Sequence, residues 1–398
     1  MTVALAYSPS LAAYRLSPDH PLRPERFTLA VELMQAWGLI AGRDGDAANV
    51  ADLPRARLVE PKPVTDDDLA LFHTRELIAA IRAASTNPSA ADGRFGLGTG
   101  DTPAFAGMHD ASAAIVGATC LALDTVVDGR MHRAFSPAGG LHHAHAERSA
   151  GFCVYNDVAV AILRATRDHP GLRVAYVDID AHHGDGVQEA FYRRDDVLTI
   201  SIHESGRYLY PGTGAARDIG QGAGLGFAVN VPLPPYAGPD EFASALHDVA
   251  EPAVRAFAPD LIVAQLGGDS HHADPLTHLA NTVGGHISLT SVLAHLADEV
   301  CAGRLVACGG GGYEPYSAVP RMWAGAMAVL LERPVPEELP AAWLAASCAA
   351  AGWNEPVATR TLDDPDPRDD ATRRRACELT RAAIRETRAA SPLLGFGT

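Results

Sequence analysis

The feature that most constrains this chain is the segment YVDIDAHHGDG at residues 176–186, an apolar run ending in Asp178, Asp180 and His182. Side chains alternate along a strand, so these three are expected on one face at its end. Burying two carboxylates together is costly unless something compensates them. A hydrogen-bonded polar cluster is one solution. A metal ion is the other, since carboxylate oxygen and imidazole nitrogen suit zinc and suit iron(II) equally. QLGGDS at 265–270 supplies Asp269 just past another apolar run, although an Asp there can also serve as a helix N-cap. Together, Asp180, His182 and Asp269 make a three-ligand set that leaves a position open for water and substrate.

Four segments of this kind read as buried strands: 172–180, 197–203, 260–268 and 304–313. Helical patterns lie between them, for example DVAVAILRATRDH (157–169) and PDEFASALHDVAEPAVRAFA (239–258). Strand alternating with helix predicts an α/β fold, a largely parallel β-sheet sandwiched between helices. In such sheets ligands bind beyond the carboxyl ends of the strands, and the acids above fall there. With 398 residues, 47% of them hydrophobic, the chain has ample material for a core. From about residue 331 its character changes. We expect one catalytic unit over 1–330 and a helical extension over 331–398, in which the charge run DDPDPRDDATRRR reads as a solvated linker.

Other properties exclude function classes. The run of residues MTVALAYSPSLAAYRLSPDH lacks a basic start followed by an apolar stretch, and no run of 18 apolar residues follows. A cytoplasmic protein without a membrane span is expected. Six cysteines form no CxxC pair and read as inert thiols in a reducing compartment. The net charge of −16, with Lys62 the one lysine, argues against nucleic-acid binding and is compatible with a cationic substrate or basic peptide.

PAGGLHHAHAERSAGFCVYND (137–157) places His142 and His143 side by side in a glycine-rich loop. Such a pair can be an accident or a metal site. It also suits a general base and a neighbour that adjusts local charge, with Asp178 and Asp185 as the carboxylates that fix each ring. CGGGGYEP (308–315) offers four glycines and Tyr313. A phosphate cradle is disfavoured because the Lys and Ser/Thr of a P-loop are missing. Tyr313 either packs or donates its hydroxyl to a developing oxyanion.

Taken in order, HPLRPER (20–26), PAGGLHHA (137–144), SAGFCVYNDVAVAI (149–162), YVDIDAHHGDGVQEAFY (176–192), YPGTG (210–214) and CGGGGY (308–313) resemble the histone deacetylase family, of the arginase–deacetylase fold. DPLTHL (274–279) is more similar to its bacterial acetoin-utilisation branch. The resemblance implies a metal-dependent amide hydrolase that removes acetyl groups. Asp180, His182 and Asp269 would bind zinc, with iron(II) as the other metal; His143 would be the base, paired with Asp185; and His142 would pair with Asp178. Tyr313 would donate to the substrate carbonyl. Asp101 would hold the substrate backbone, Gly151, Phe152, Tyr210 and Leu276 would line an acyl-lysine tunnel, and Arg26 would stand by an acetate channel. Potassium would bind at Asp178, Asp180, His182 and Ser201, and again at the backbone of Phe191, Arg194, Val197 and Phe227. The implied substrate is an acetylated protein such as an acyl-CoA synthetase. Alternatives are an acetylpolyamine or other small acetylated amine, a non-catalytic acetyl-lysine binder, and an arginase-like enzyme with two manganese ions. Against the last, Gly184 stands where a further carboxylate is needed. His271 and His272 have no assignment beyond rim residues or chance.

Overall fold

The computed structural model describes residues 1–40, 53–352 and 361–395. One sheet is built from β1 (Val3–Ala6), β2 (Arg57–Val59), β3 (Arg133–Ser136), β4 (Val174–Asp178), β5 (Val197–Glu204), β6 (Ala228–Leu233), β7 (Leu261–Gln265) and β8 (Leu305–Cys308). The strand order is β2-β1-β3-β8-β7-β4-β5-β6, and every neighbouring pair is parallel. The helices are α1 (Glu25–Ala36), α2 (Asp66–Leu69), α3 (Arg75–Thr86), α4 (Met108–Val127), α5 (Asp157–Asp168), α6 (Asp185–Phe191), α7 (Pro239–Ala245), α8 (Glu251–Phe257), α9 (Val283–Cys301), α10 (Ala318–Leu330), α11 (Ala341–Ala351) and α12 (Asp370–Ala390). This is the α/β architecture that the alternating pattern predicts.

The four apolar segments form β4, β5, β7 and β8. One detail is corrected. β4 stops at Asp178, so Asp180 and His182 lie in the turn beyond it, not on a strand face. Carboxylates that accept nearby main-chain N–H groups turn the chain there: the Asp180 N–H donates to Asp178 Oδ1 at 2.9 Å and the His182 N–H to Asp180 Oδ1 at 2.9 Å. The helical pattern at 239–258 forms α7 and α8, joined by a wide π turn at Leu246–Ala250. Pro252 has no N–H to continue the ladder, and the wide turn ahead of it absorbs the mismatch.

By length and composition α4 is apolar enough to cross a membrane. In the fold, 72% of its apolar window is buried, and it packs on α5, β1 and β3.

The charged run near the C-terminus is not a solvated linker. Arg368 is 7% exposed and its guanidinium meets the buried Glu241 at 2.5 Å and Asp366 at 2.8 Å. DDATRRR instead opens α12, where Asp369 Oδ1 caps the helix by accepting the Thr372 N–H at 2.7 Å. The helix lies along β6, with Thr387 Oγ1 donating to Asn230 O at 2.6 Å, and covers a sheet edge. The charges were visible in sequence. Their partner Glu241 is 127 residues away from Arg368 and was not. Arg368→Ala leaves Glu241 buried without a counter-charge, so we expect a loss of about 3–5 kcal/mol, read as a lower denaturant midpoint at unchanged slope. A parental midpoint would show that the pair contributes nothing.

Candidate active site and metal centre

Because all strands run the same way, their carboxyl ends share one edge. At its centre lie β3, β8, β7 and β4. The loop after β3 carries His142 and His143, the end of β4 carries Asp178 to Asp185, the loop after β7 carries Asp269, and β8 leads into the glycines and Tyr313.

The donor atoms of Asp180, His182 and Asp269 lie within 4.8 Å of one another. His182 Nδ1 is 3.2 Å from Asp180 Oδ1 and 2.9 Å from Asp269 Oδ2. Both carboxylates are fully buried. Burial opposes charge on His182, yet Asp180 and Asp269 raise its pKa well above the imidazole range. Burial also pushes Asp269 up, and the charge of Asp180 adds to it. The cluster thus carries surplus negative charge and calls for a cation. One nitrogen and two carboxylate donors, all buried, fit zinc or iron(II).

The glycine run is a main-chain cradle for these acids. Gly311 N–H donates to Asp180 Oδ2 at 2.6 Å, and a Cβ at this position would collide with Asp269. Gly310 and Gly312 take φ values of 107° and 131°, which side chains rarely adopt. At Gly184 a Cβ would stand 2.6 Å from Asp178 Oδ2. There is no room for the extra carboxylate that a two-manganese site needs.

The two imidazoles meet with His142 Nε2 and His143 Nε2 3.1 Å apart. His142 Nδ1 pairs with Asp178 Oδ2 at 2.9 Å and His143 Nδ1 with Asp185 Oδ1 at 2.8 Å. Their environments drive them apart. Burial lowers both, but for His142 the charges of Asp180 and Asp178 win and raise it to about 9. His143 is lowered to about 4 by burial and then by the charge of His142, against the pull of Asp185. The shifts favour charge on His142 and a neutral ring at His143.

The expected tunnel residues surround this centre. Gly151 and Phe152 have φ of 55° and 66°, forming a tight turn closed by the Ala150–Cys153 bridge. A Cβ at Gly151 would collide with the His143 ring. Tyr210 stands over His143 with centroids 5.1 Å apart, and Tyr313 lies 6.2 Å from the His182 ring and 5.5 Å from that of Phe152. Tyr210 and Leu276 are 45% and 37% exposed, at the mouth. Asp101 is exposed there and accepts the Gly151 N–H at 2.9 Å. Arg26 is buried, donates to Gly310 O and lies 5.3 Å from the Trp323 ring. Ser201 pairs with Asp178 across the sheet, and its Oγ is 2.9 Å from His203 Nδ1. The carbonyls of Phe191 and Phe227 accept from Arg194 N–H and Thr199 N–H at 2.9 Å each, Val197 opens β5, and the Arg194 side chain turns to Asp196.

Several supports were missed in sequence. Asp157 accepts the N–H groups of Gly140 and Leu141. Asn156 caps α5 through Oδ1, and its Nδ2 donates to the carbonyls of His142 and Ala144. Adjacent Asn and Asp at a helix start were the available signal. Asp274 accepts the Tyr313 N–H at 2.7 Å and the Leu276 N–H at 2.9 Å, tying the tunnel wall to the tyrosine. Tyr176 donates to Asp178 at 2.7 Å. A buried tyrosine on a strand carries no such signal.

Residues 20–330 match the histone deacetylase domain. The acetoin utilization protein AcuC of Bacillus subtilis (strain 168) is 39% identical over 370 residues, covering 91% of this chain and 91% of that protein. AcuC of Staphylococcus xylosus is 36% identical, with 91% and 89% covered. The crystal structure of an HDAC homolog from Aquifex aeolicus is similar at a TM-score of 0.82 and 30% identity, covering 96% of this chain and 100% of that chain. An HDAC homolog complexed with SAHA gives 0.83 and 31%, with the same coverage.

Gly311→Ala tests the cradle. We expect an unchanged far-UV spectrum and metal affinity at least about tenfold weaker, as for other groups that support metal ligands, measured by competition with a chromophoric chelator. Parental affinity would show that the glycine is not needed.

Proposed function

This chain belongs to the histone deacetylase family and is a deacetylase, and on that premise we propose that it removes acetyl groups from acetyl-lysine in proteins, with zinc or iron(II) held by Asp180, His182 and Asp269. The observation that carries the reading is the convergence of these three donors with the His142–His143 pair and Tyr313. When bound, the metal polarises the substrate carbonyl and makes a neighbouring water more acidic.

The chain's own residues do the rest. His143, with Nδ1 facing Asp185 and an unprotonated Nε2 beside His142 Nε2, takes a proton from the attacking water and later passes it to the departing amine. His142 stays charged and balances the developing oxyanion. Burial, and then the charges of Asp269 and Asp180, raise the pKa of Tyr313 well above its usual value. Its hydroxyl therefore remains a donor to the carbonyl oxygen. Phe152 and Tyr210 fit the role of flanking an acyl-lysine stem, and Asp101 that of holding the substrate backbone. The exposed mouth is the feature that favours a protein over a small amine. An acyl-CoA synthetase is one acetylated protein that this reading admits as substrate. Potassium at Asp178, Asp180, His182 and Ser201, and at the backbone of Phe191, Arg194, Val197 and Phe227, belongs to the same reading. So does a cytoplasmic location, supported by six free cysteines.

Tyr313→Phe should retain bound metal and lose about 10²–10³-fold in kcat. Unchanged turnover would remove Tyr313 from the mechanism. Purified metal-loaded protein should deacetylate an acetyl-lysine peptide in preference to an acetylpolyamine, and stripping the metal with chelator should abolish turnover until zinc or iron(II) is restored. Preference for the polyamine, or full activity in chelator, would overturn the proposal.

A further inference from the structure

His271 and His272 follow Asp269 closely and were left unassigned. His271 is not a rim residue. His271 is 2% exposed, and its Nε2 lies 2.7 Å from Asp364 Oδ2. Asp364 Oδ1 accepts from Arg321, also 2.7 Å away and buried on α10. Arg321 donates further to Leu362 O at 2.8 Å and to Ser317 O at 3.0 Å. One carboxylate from the C-terminal segment thus joins the loop that bears Asp269 to the helix that follows Tyr313.

A second metal ion is the first alternative. His271, His272 and Asp364 present donor atoms within 4.8 Å, and His272 Nε2 is buried without a hydrogen-bond partner among the described residues. The bonding argues otherwise. His271 Nδ1 accepts the Ala273 N–H at 3.1 Å, so the ring proton sits on Nε2 and points at Asp364. The carboxylate is already shared between two donors, and the Arg321 guanidinium supplies the positive charge that an ion would bring.

The loop can transmit what happens at His271. Asn281 N–H donates to Ser270 O and His272 N–H to Asn281 O, each at 3.0 Å. Thr277 Oγ1 donates to Asp269 O at 2.7 Å. At the far end, Asp363 Oδ1 accepts the Gly284 N–H at 2.7 Å, where α9 begins. The segment around 362–364 therefore grips both ends of this loop.

We propose that Asp364 is a positioning residue: by clamping His271 to Arg321 it holds the Asp269 loop in register with the Tyr313 segment, so that the C-terminal extension completes the metal centre. This rests on the reading of Asp269 as a metal ligand.

The test uses the full chain, stripped of metal and titrated with zinc against a chromophoric chelator, with hydrogen exchange followed at residues 270–281. Asp364→Ala should weaken zinc binding about tenfold, the lower end for supports of metal ligands. The amides of His272 and Asn281 should exchange at least about tenfold faster, by the same opening. Asp364→Asn offers one acceptor where two donors converge, so it keeps one arm of the clamp and should fall between the parent and Asp364→Ala. Should Asp364→Ala fail to fold because Arg321 is stranded, His271→Ala opens the clamp from the other end while leaving the Asp364–Arg321 pair, and should show the same two losses. Parental affinity and exchange in His271→Ala would overturn the proposal. So would two zinc ions per parental chain with one lost in the variant, which would make the cluster a second metal site. A parental chain that takes up no metal would count against the proposed function, and the clamp would then stand or fall on the exchange rates alone.

Discussion

Two fully buried carboxylates facing one imidazole set the terms for everything around them. Asp180 and Asp269 can be placed together only where donors and positive charge offset the loss of water. Part of that compensation is main chain. Gly311 N–H serves Asp180, and Ala181 N–H serves Asp269 at 2.8 Å. The remainder falls to His182, 3.2 Å from Asp180 and 2.9 Å from Asp269, and to the metal proposed for this cluster. This need explains the glycines after β8, since the main chain must come close enough to donate and a side chain there would strike the acids.

The parallel sheet delivers this arrangement economically. Residues far apart in sequence reach one edge because every strand ends there. The cost lies in the connections. The loop after β3 runs through the interior with little regular structure, and its polar main chain must be satisfied locally. Asn156 and Asp157 do this from the start of α5, so a helix cap also fixes the imidazole pair. The same residue type then takes opposite characters. His142 faces two acids and holds its proton, whereas His143 faces His142 and gives its proton up.

The C-terminal segment belongs to this economy. Its helix α12 covers the edge strand β6, and two of its acids, Asp364 and Asp366, meet the buried His271, Arg321 and Arg368. An extension that looks polar in sequence is held by ion pairs whose partners lie in the deacetylase domain.

The sequence alone determined the layering of the fold and the core of the site. Apolar runs of strand length alternating with helical periods specify a parallel sheet, and acids and histidines beyond those runs mark its functional edge. Asp178, Asp180 and His182 stood out because Asp-x-Asp-x-His at the end of an apolar run has no packing rationale, and Asp269 stood out only beside them. The strands β1, β2, β3 and β6, of three to six residues, were not read from sequence. Only the tertiary structure decided the partnerships: Asp364 with His271 across 93 residues, Arg368 with Glu241 across 127, and Asp274 with the Tyr313 N–H across 39. The physical reason is that residue patterns record local period and turn chemistry, whereas a buried ion pair or main-chain bond depends on which segments the folded sheet brings within about 3 Å of each other.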